Sequence, residues 1–443
     1  MGKKLFSLCM ALVLCLSLLP ATALAAEGAP GSLYVAGQQI TDEGYYTQSG
    51  GNWTKSGDAS TPPSAPYFHY TKGNDNTPAT LTLSGATIQG GTSTGTVPYG
   101  AGIYAQCSNG QSVTLTIKLI GENTITGYYG IYVNAEISAD SNGTDASLTI
   151  TDENNGSLGV SGSDHGIFVK SGTGNASLNI KNVAVTSSTN GNSAAGVYVM
   201  SSLTATKSPN ISLSVDGGSL TASGTGSNDG ILFYVGSSQA SDATTSLTVS
   251  KNAIMDARNG GIKASDSSMS DLSDQIKVSS GDGTKGGIVF DGSTGTVYGT
   301  VELQKDLEIK SGETLTVPDG SKLDCNEKLT NNGTIIVEKG GNLTGNPGGK
   351  VVYAPAITNH PQDVEVKENE TANFTVEATG TDLSYQWQQS TDKGQSWTDI
   401  TGETNATYTI ATTTMDMNGT QYRCVVKNSI DAVSYTHLRA HET

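Results

Sequence analysis

The sequence predicts an all-β chain built mainly as a parallel β-helix, on three observations. The first is a short alternating pattern in six copies: Leu81-Thr82-Leu83, Leu115-Thr116-Ile117, Leu148-Thr149-Ile150, Leu178-Asn179-Ile180, Leu213-Ser214-Val215 and Leu247-Thr248-Val249. Their starts lie 34, 33, 30, 35 and 34 residues apart. The second is an interleaved pattern: Gly102-Ile103-Tyr104, Gly130-Ile131-Tyr132, Gly166-Ile167-Phe168, Gly196-Val197-Tyr198, Gly230-Ile231-Leu232, Gly261-Ile262-Lys263 and Gly287-Ile288-Val289. A near-constant period of this length marks a stacked repeat array, and period-two alternation marks strands rather than helices. The third is the clustering of Gly, Asn, Ser and Asp between these runs, where a coil must turn a corner.

Taken in order, residues 1–25 read as a secretory signal. Lys3 and Lys4 open it, Leu5 to Leu19 form an apolar stretch too short to span a membrane, and Ala23-Leu24-Ala25 supplies the small-residue cleavage site. Residues 26–77 are rich in aromatics (Tyr45, Tyr46, Trp53, Tyr67, Phe68, Tyr70) and are expected to cap the open end of the helix, with Trp53 as a sugar-stacking platform the alternative. Residues 78–299 are the repeat array, read as three strands per turn. The middle strand carries pairs such as Ala86 and Ile88, Asn123 and Ile125, Leu158 and Val160, Val183 and Val185, and Leu220 and Ala222. A propeller is the nearest competitor, but its blades are longer and carry four strands. Across residues 300–349 the pattern tightens: Leu307-Glu308-Ile309, Leu315-Thr316-Val317 and Leu323-Asp324-Cys325 start eight residues apart, which reads as successive smaller rungs before an Asn346-Pro347-Gly348-Gly349 linker.

Residues 350–432 change character. His360-Pro361, Ala372-Asn373-Phe374-Thr375-Val376, Tyr385-Gln386-Trp387, Tyr408-Thr409-Ile410 and the run from Asp416 to Cys424 resemble bacterial immunoglobulin-like modules. The resemblance implies a β-sandwich with Trp387 buried on its third strand and Tyr422, two residues before Cys424, as a tyrosine corner. Phe374 stands where such domains place their first cysteine, so no inter-sheet disulfide is expected. Residues 433–443 resemble a translated sequencing adapter, which implies an incomplete sandwich whose last strand is missing or mimicked, and a natural chain that continues past Ala432. The array with this module, through LTLSGATI, GENTITG, GIYV and NNGTIIVE, resembles exported adhesin-like or carbohydrate-binding β-helix repeat proteins of Gram-positive gut bacteria.

Composition narrows the function. The net charge is −17, and loss of Lys3 and Lys4 with the signal makes it −19; so acidic a chain argues against nucleic acid or an anionic membrane as partner. Three cysteines remain after the signal, Cys107, Cys325 and Cys424. The parity of Cys107 and Cys325 reads as inward, as small buried hydrophobes, and an odd number leaves at least one free thiol. Lyase chemistry needs a strong base beside the sugar, yet only Arg258 and Arg423 precede the C-terminal eleven residues. Hydrolysis needs two facing carboxylates, and no acidic residue recurs at one column of the coils. Asp164-His165-Gly166 is the one local cluster of catalytic appearance, and its place between strands reads as turn chemistry. No catalytic residue and no metal ligand is assigned. Asp140-Ser141-Asn142-Gly143-Thr144-Asp145 and Asp152-Glu153-Asn154-Asn155 gather oxygens, but neither has EF-hand spacing.

The sharpest candidate for binding is an aromatic column. If Ile103, Ile131, Ile167 and Val197 point inward, Tyr104, Tyr132, Phe168 and Tyr198 point outward, about 4.8 Å apart in successive coils. Such a stripe can stack on sugar rings or on a partner's surface; it can equally serve only strand pairing or lie under a loop. The column of Thr82, Thr116, Thr149 and Thr248 is a weaker analogue. The expected protein is therefore a non-enzymatic, secreted or cell-surface protein that needs no cofactor. It presents a β-helix face to a glycan or to a host or microbial surface protein, with the immunoglobulin-like module as spacer and no membrane insertion after signal removal. A calcium-assisted carbohydrate-binding module is the second reading, and a polysaccharide lyase or hydrolase the third.

Overall fold

The computed structural model describes residues 30–57, 60–64, 66–73, 77–91, 100–107, 111–135, 144–191, 194–202, 209–225, 228–236, 243–266, 273–281 and 285–441, with side chains as far as Val433. The signal, residues 1–25, and Asp140 to Gly143 lie outside the described residues. The fold is all-β, a parallel β-solenoid followed by an immunoglobulin-like β-sandwich, and it divides into two compact units between Glu302 and Leu303.

In the first unit the central coils are each one long bent strand and one short one, whereas Ala79–Ser84 and Thr87–Gln89 in the first coil, and Thr244–Ser250 and Ala253–Asn259 in a later one, remain separate strands. The long strands include Val113–Gly127, Ala146–Gly162, Ala176–Thr189 and Asn210–Ser223; the short ones include Ala101–Gln106, Tyr129–Asn134, Ile167–Ser171, Ala195–Ser201 and Asp229–Val235. Each pairs in parallel with its equivalent one coil on. Leu115, Leu148, Leu178, Leu213 and Leu247 form one inward column, and Ile103, Ile131, Ile167, Val197, Ile231 and Ile262 another. Burial of these side chains against one another is what stabilises a stack whose coils contact only their neighbours. The bend within each long strand falls on a residue of positive φ: Gly121 at 61°, Asn155 at 48°, Asn182 at 54° and Gly217 at 74°. These are the residue types that enter the left-handed region at least cost. In these coils the corner turns without ending the strand, so the first two of the three expected strands run on as one; the coils that begin with Ala79–Ser84 and Thr244–Ser250 keep the three strands expected.

The glycine that opens each Gly-Ile-aromatic motif has a different cause. A Cβ on Gly130 would lie 2.3 Å from Val160 Cγ1 and 2.6 Å from the Gly166 carbonyl oxygen; one on Gly166 would lie 2.3 Å from Ser187 Oγ and 2.6 Å from the Gly196 oxygen. The short strand enters its sheet pressed against the end of the long strand that follows it in the chain, and only glycine leaves room.

Four details of the register differ from the sequence expectation. Leu81 pairs with Ile117, and Ala79 with Leu115, so the first motif copy is slipped by two residues. A two-residue slip preserves which side chains face inward. The middle-strand pairs slip likewise in one coil, with Leu158 opposite Val185 and Val160 opposite Ser187. Gly287-Ile288-Val289 belongs to another column: Ile288 pairs with Ile254, and its strand then turns back into an antiparallel hairpin with Thr294–Tyr298. In the second unit, Leu307 pairs with Leu329, Leu315 with Ile335 and Leu323 with Leu343. The eight-residue spacing thus measures three sides of one small rung, not three rungs.

The lead segment closes the first coil with antiparallel strands. Ser32–Val35 lies along the first Gly-Ile-Tyr strand, and Tyr67–Thr71 pairs with Ala79–Ser84. Tyr46, Trp53, Phe68 and Tyr70 join the main core, and Trp53 is only 1% exposed. Trp53 is therefore no platform for a sugar.

In the sandwich, Ser384–Ser390 pairs with Gln421–Lys427, which pairs with Ala432–His441, while Ala372–Thr375 pairs with Thr407–Ile410. Trp387 sits directly opposite Cys424, is fully buried, and donates its indole N–H to the Asn405 carbonyl at 2.9 Å. Phe374 packs 5.0 Å from Tyr422, ring centre to ring centre, and Cys424 is a free buried thiol. Phe374 and Cys424 belong to the same buried core. The last strand is present and is formed by Ala432–His441, which pairs along Gln421–Lys427 and reaches Val364–Glu365 in parallel.

Candidate functional site

The aromatic column has the predicted parity and a different environment. Tyr104, Tyr132, Phe168 and Tyr198 pair in register on the outer side of the short-strand sheet. Tyr132 and Phe168 stack at 4.6 Å and 7°, Phe168 and Tyr198 at 4.8 Å and 5°. Yet Tyr104, Tyr132 and Phe168 are only 4%, 7% and 6% exposed, and Tyr198 is half-buried. Together with Ala101 they form a second hydrophobic core, against which Tyr34, Tyr129, Tyr198 and Met200 pack. The expected open stripe is thus corrected. Its rings face away from the solenoid axis but are covered, because Tyr34 from the cap, Tyr129 from the coil entry and Met200 from the sheet close over them.

His165 belongs to this second core. It is 7% exposed, and its ring centre lies 5.1 Å from that of Phe168 and 4.8 Å from that of Tyr198. The Ala195 amide donates to His165 Nδ1 at 2.9 Å, so the neutral ring carries its proton on Nε2, 3.7 Å from Asp164 Oδ1. The Asp164 carbonyl accepts the Thr189 hydroxyl. The pair therefore locks a corner, with Nδ1 spent on the backbone. Burial pushes the His165 value below the ordinary 6.5, against the opposing pull of Asp164, and burial likewise pushes the Tyr129 and Tyr198 phenols up. A lowered folded value means the neutral ring stabilises the fold fully above the ordinary histidine range. That contribution is lost as pH falls through the folded value. Thermal melts on acidification should show a stability loss that is smaller in His165→Gln; parallel curves for the two proteins would contradict this.

Three carboxylates of the acidic loops that lie among the described residues have internal partners. Asp145 Oδ1 accepts the Asn175 amide at 2.7 Å, Asp152 Oδ1 accepts the Gly156 amide at 2.6 Å, and Glu153 pairs with Lys118 at 2.8 Å. No three His, Cys, Asp or Glu side chains converge on one point among the described residues. The threonine column starts at Thr80 rather than Thr82, which lies opposite Lys118, and farther along the same outer face Ser214 donates to Asn179 at 2.7 Å and Thr248 meets Ser279 at 3.3 Å.

The open site is a groove that sequence reasoning passed over. Where each long strand ends, inward Ile88, Ile125 and Val160 turn the next residue outward. Gln89, Thr126, Ser161 and Ser188 consequently form an outer column in register across four coils. With Thr189 and Asn190 they line a groove of about 390 Å³ that no charged or aromatic side chain enters among the described residues. Its floor is backbone, because Gly90, Gly127 and Gly162 must admit the next strand: a Cβ on Gly127 would lie 2.6 Å from the Tyr129 oxygen. The signal for it was the recurrence of a hydroxyl or amide just before these glycines.

A family described as a domain of unknown function (DUF8696) matches residues 358–438, the span of the sandwich and six residues past Ala432. Endoglucanase C of Cellulomonas fimi is 34% identical over 90 residues, which are 20% of this chain and 8% of that protein, so the chain spans a small part of the relative it matches. Among solved structures, a DIP-gamma fragment of two immunoglobulin domains shares 21% identity over 21% of this chain and 50% of its own, at a TM-score of 0.17. A chimeric titin Z1Z2 shares 23% over 21% and 98%, also at 0.17. Among the described residues no helix is long and apolar enough to cross a membrane.

Proposed function

We propose that this is an exported, non-enzymatic surface protein of adhesin-like type that holds an uncharged glycan along the solenoid groove, with the immunoglobulin-like module as spacer. The observation that carries the reading is the groove itself: neutral hydroxyls and an amide repeated in register, with backbone below. Successive groups recur at about the 4.8 Å strand spacing, close to the advance of one sugar ring in an extended glycan. An extended peptide presents a side chain to one face only every second residue, at about 6.6 Å, and falls out of step. The acidic net charge disfavours polyanionic glycans. Likeness to an endoglucanase puts β-glucan first among the probes.

Retention on immobilised β-glucan, xylan, galactomannan and mucin, with and without EDTA and with reducing ends assayed, tests this. The expected result is retention of an uncharged polysaccharide that EDTA leaves intact, with no new reducing ends. Loss of retention in EDTA would favour the calcium-assisted module, and product release would favour the enzyme. A Gram-positive gut-bacterial source and the foreign origin of residues 433–443 belong to the same proposal; contiguous genomic sequence across Ala432 decides the latter.

A further inference from the structure

The second unit holds a second cleft, far from the groove in sequence. Its rung stack ends with Lys350–Tyr353, which pairs in parallel with Thr334–Val337. Tyr353 lies in register with Val337, and Val337 with Val317, yet Val317 and Val337 are buried and Tyr353 is 43% exposed. No solenoid strand follows it to cover the ring.

The ring is exposed but its backbone is clamped. The Tyr353 amide donates to Thr381 Oγ1 at 3.0 Å, and its carbonyl accepts Asn428 Nδ2 at 2.8 Å and the Thr381 amide at 3.1 Å. The next amide, Ala354, donates to the Val337 carbonyl at 2.8 Å. Beside the ring is a cleft of about 340 Å³, lined also by Glu338, Lys339, Ala356 and Thr379. Glu338 and Lys339 are both exposed, and no ion-pair or hydrogen-bond partner of either side chain is found among the described residues.

We propose that this cleft is a second glycan subsite, which takes a single pyranose residue. The inference rests on the reading of the protein as a glycan binder. An exposed aromatic face suits the C–H face of a sugar ring, while a carboxylate acceptor and an ammonium donor suit its hydroxyls. Clefts between packed modules that combine an apolar wall with a few polar groups are where small ligands bind. The clamp fixes the backbone that carries the ring beside the cleft, so only the side-chain rotamer is left to order when the sugar arrives.

The test uses the full chain and oligosaccharides of β-glucan, xylan and mannan, titrated against wild type, Tyr353→Phe, Tyr353→Ala, Glu338→Gln and Ser161→Arg. The last variant fills the solenoid groove and leaves this cleft untouched. For at least one oligosaccharide, Tyr353→Ala should weaken binding by roughly two- to tenfold while Tyr353→Phe keeps it. Glu338→Gln, at an exposed position that cannot unfold the protein, should weaken it too, and the effects should persist in the Ser161→Arg background. If wild type binds and neither Tyr353→Ala nor Glu338→Gln changes the affinity, the second subsite is wrong and the groove reading stands. If wild type binds none of the probes, both fall.

Discussion

Phe168→Ala is expected to destabilise the first unit by about 3–5 kcal/mol, the range for removal of a buried aromatic ring. Phe168 lies between Tyr132 and Tyr198 and also touches His165 and Tyr129, so its loss opens a cavity in the middle of the second core. Each coil depends on its neighbours, so the weakness should spread along the solenoid and appear as a large drop in melting temperature. Thermal unfolding followed by far-ultraviolet circular dichroism measures this. A melting temperature within a degree or two of wild type would mean that the column is not a core, and would restore the open stripe that the sequence suggested.

Gly166→Val is expected to prevent the first unit from folding. Even a Cβ at this position would sit 2.3 Å from Ser187 Oγ and 2.6 Å and 2.8 Å from the Gly196 and Ser188 carbonyl oxygens. Two of those three contacts are backbone, which cannot swing aside without breaking the ladder. The control is Gly121→Ala, at a corner with open space around its Cβ and a φ of 61°. That change should cost only about 1–2 kcal/mol, the penalty of a left-handed backbone on an L-residue. Expression and limited proteolysis of both variants check the pair. Equal, native-like resistance in Gly166→Val would contradict the close approach of strands described above.

The solenoid was legible because its inward columns recur, and recurrence survives variation in corner length. The inward or outward sense of nearly every strand was legible for the same reason. Registers that differ by two residues were not, since Leu81 or Ala79 opposite Leu115 would bury the same faces. The spacing of Leu307, Leu315 and Leu323 was ambiguous because a strand-plus-turn length does not say whether the next strand stacks or turns the corner. In the sandwich, Trp387 and Tyr422 carried a recognisable pattern, and Phe374 correctly signalled that Cys424 would stay unpaired.

The candidate site was less legible, and the reason is exposure. Parity places Tyr104, Tyr132 and Phe168 outside the solenoid core, but the residues that pack against them do not recur from coil to coil: Tyr34 in the cap, Tyr129 at the start of one short strand and Met200 near the end of another. Serine and threonine at strand ends look like any solvated face. Only the stacking of Gln89, Thr126, Ser161 and Ser188 beside a glycine floor turns them into a groove.

The most direct test of the account is an equilibrium titration of β-glucan oligosaccharide against Ser161→Arg and wild type, with melting temperatures recorded on the same samples. Ser161 faces outward, is partly exposed and has no internal side-chain hydrogen bond among the described residues, so arginine there should fill the groove and leave the fold intact. The account predicts that groove binding is lost, at least tenfold in affinity, at an unchanged melting temperature. Undiminished affinity in Ser161→Arg would contradict it.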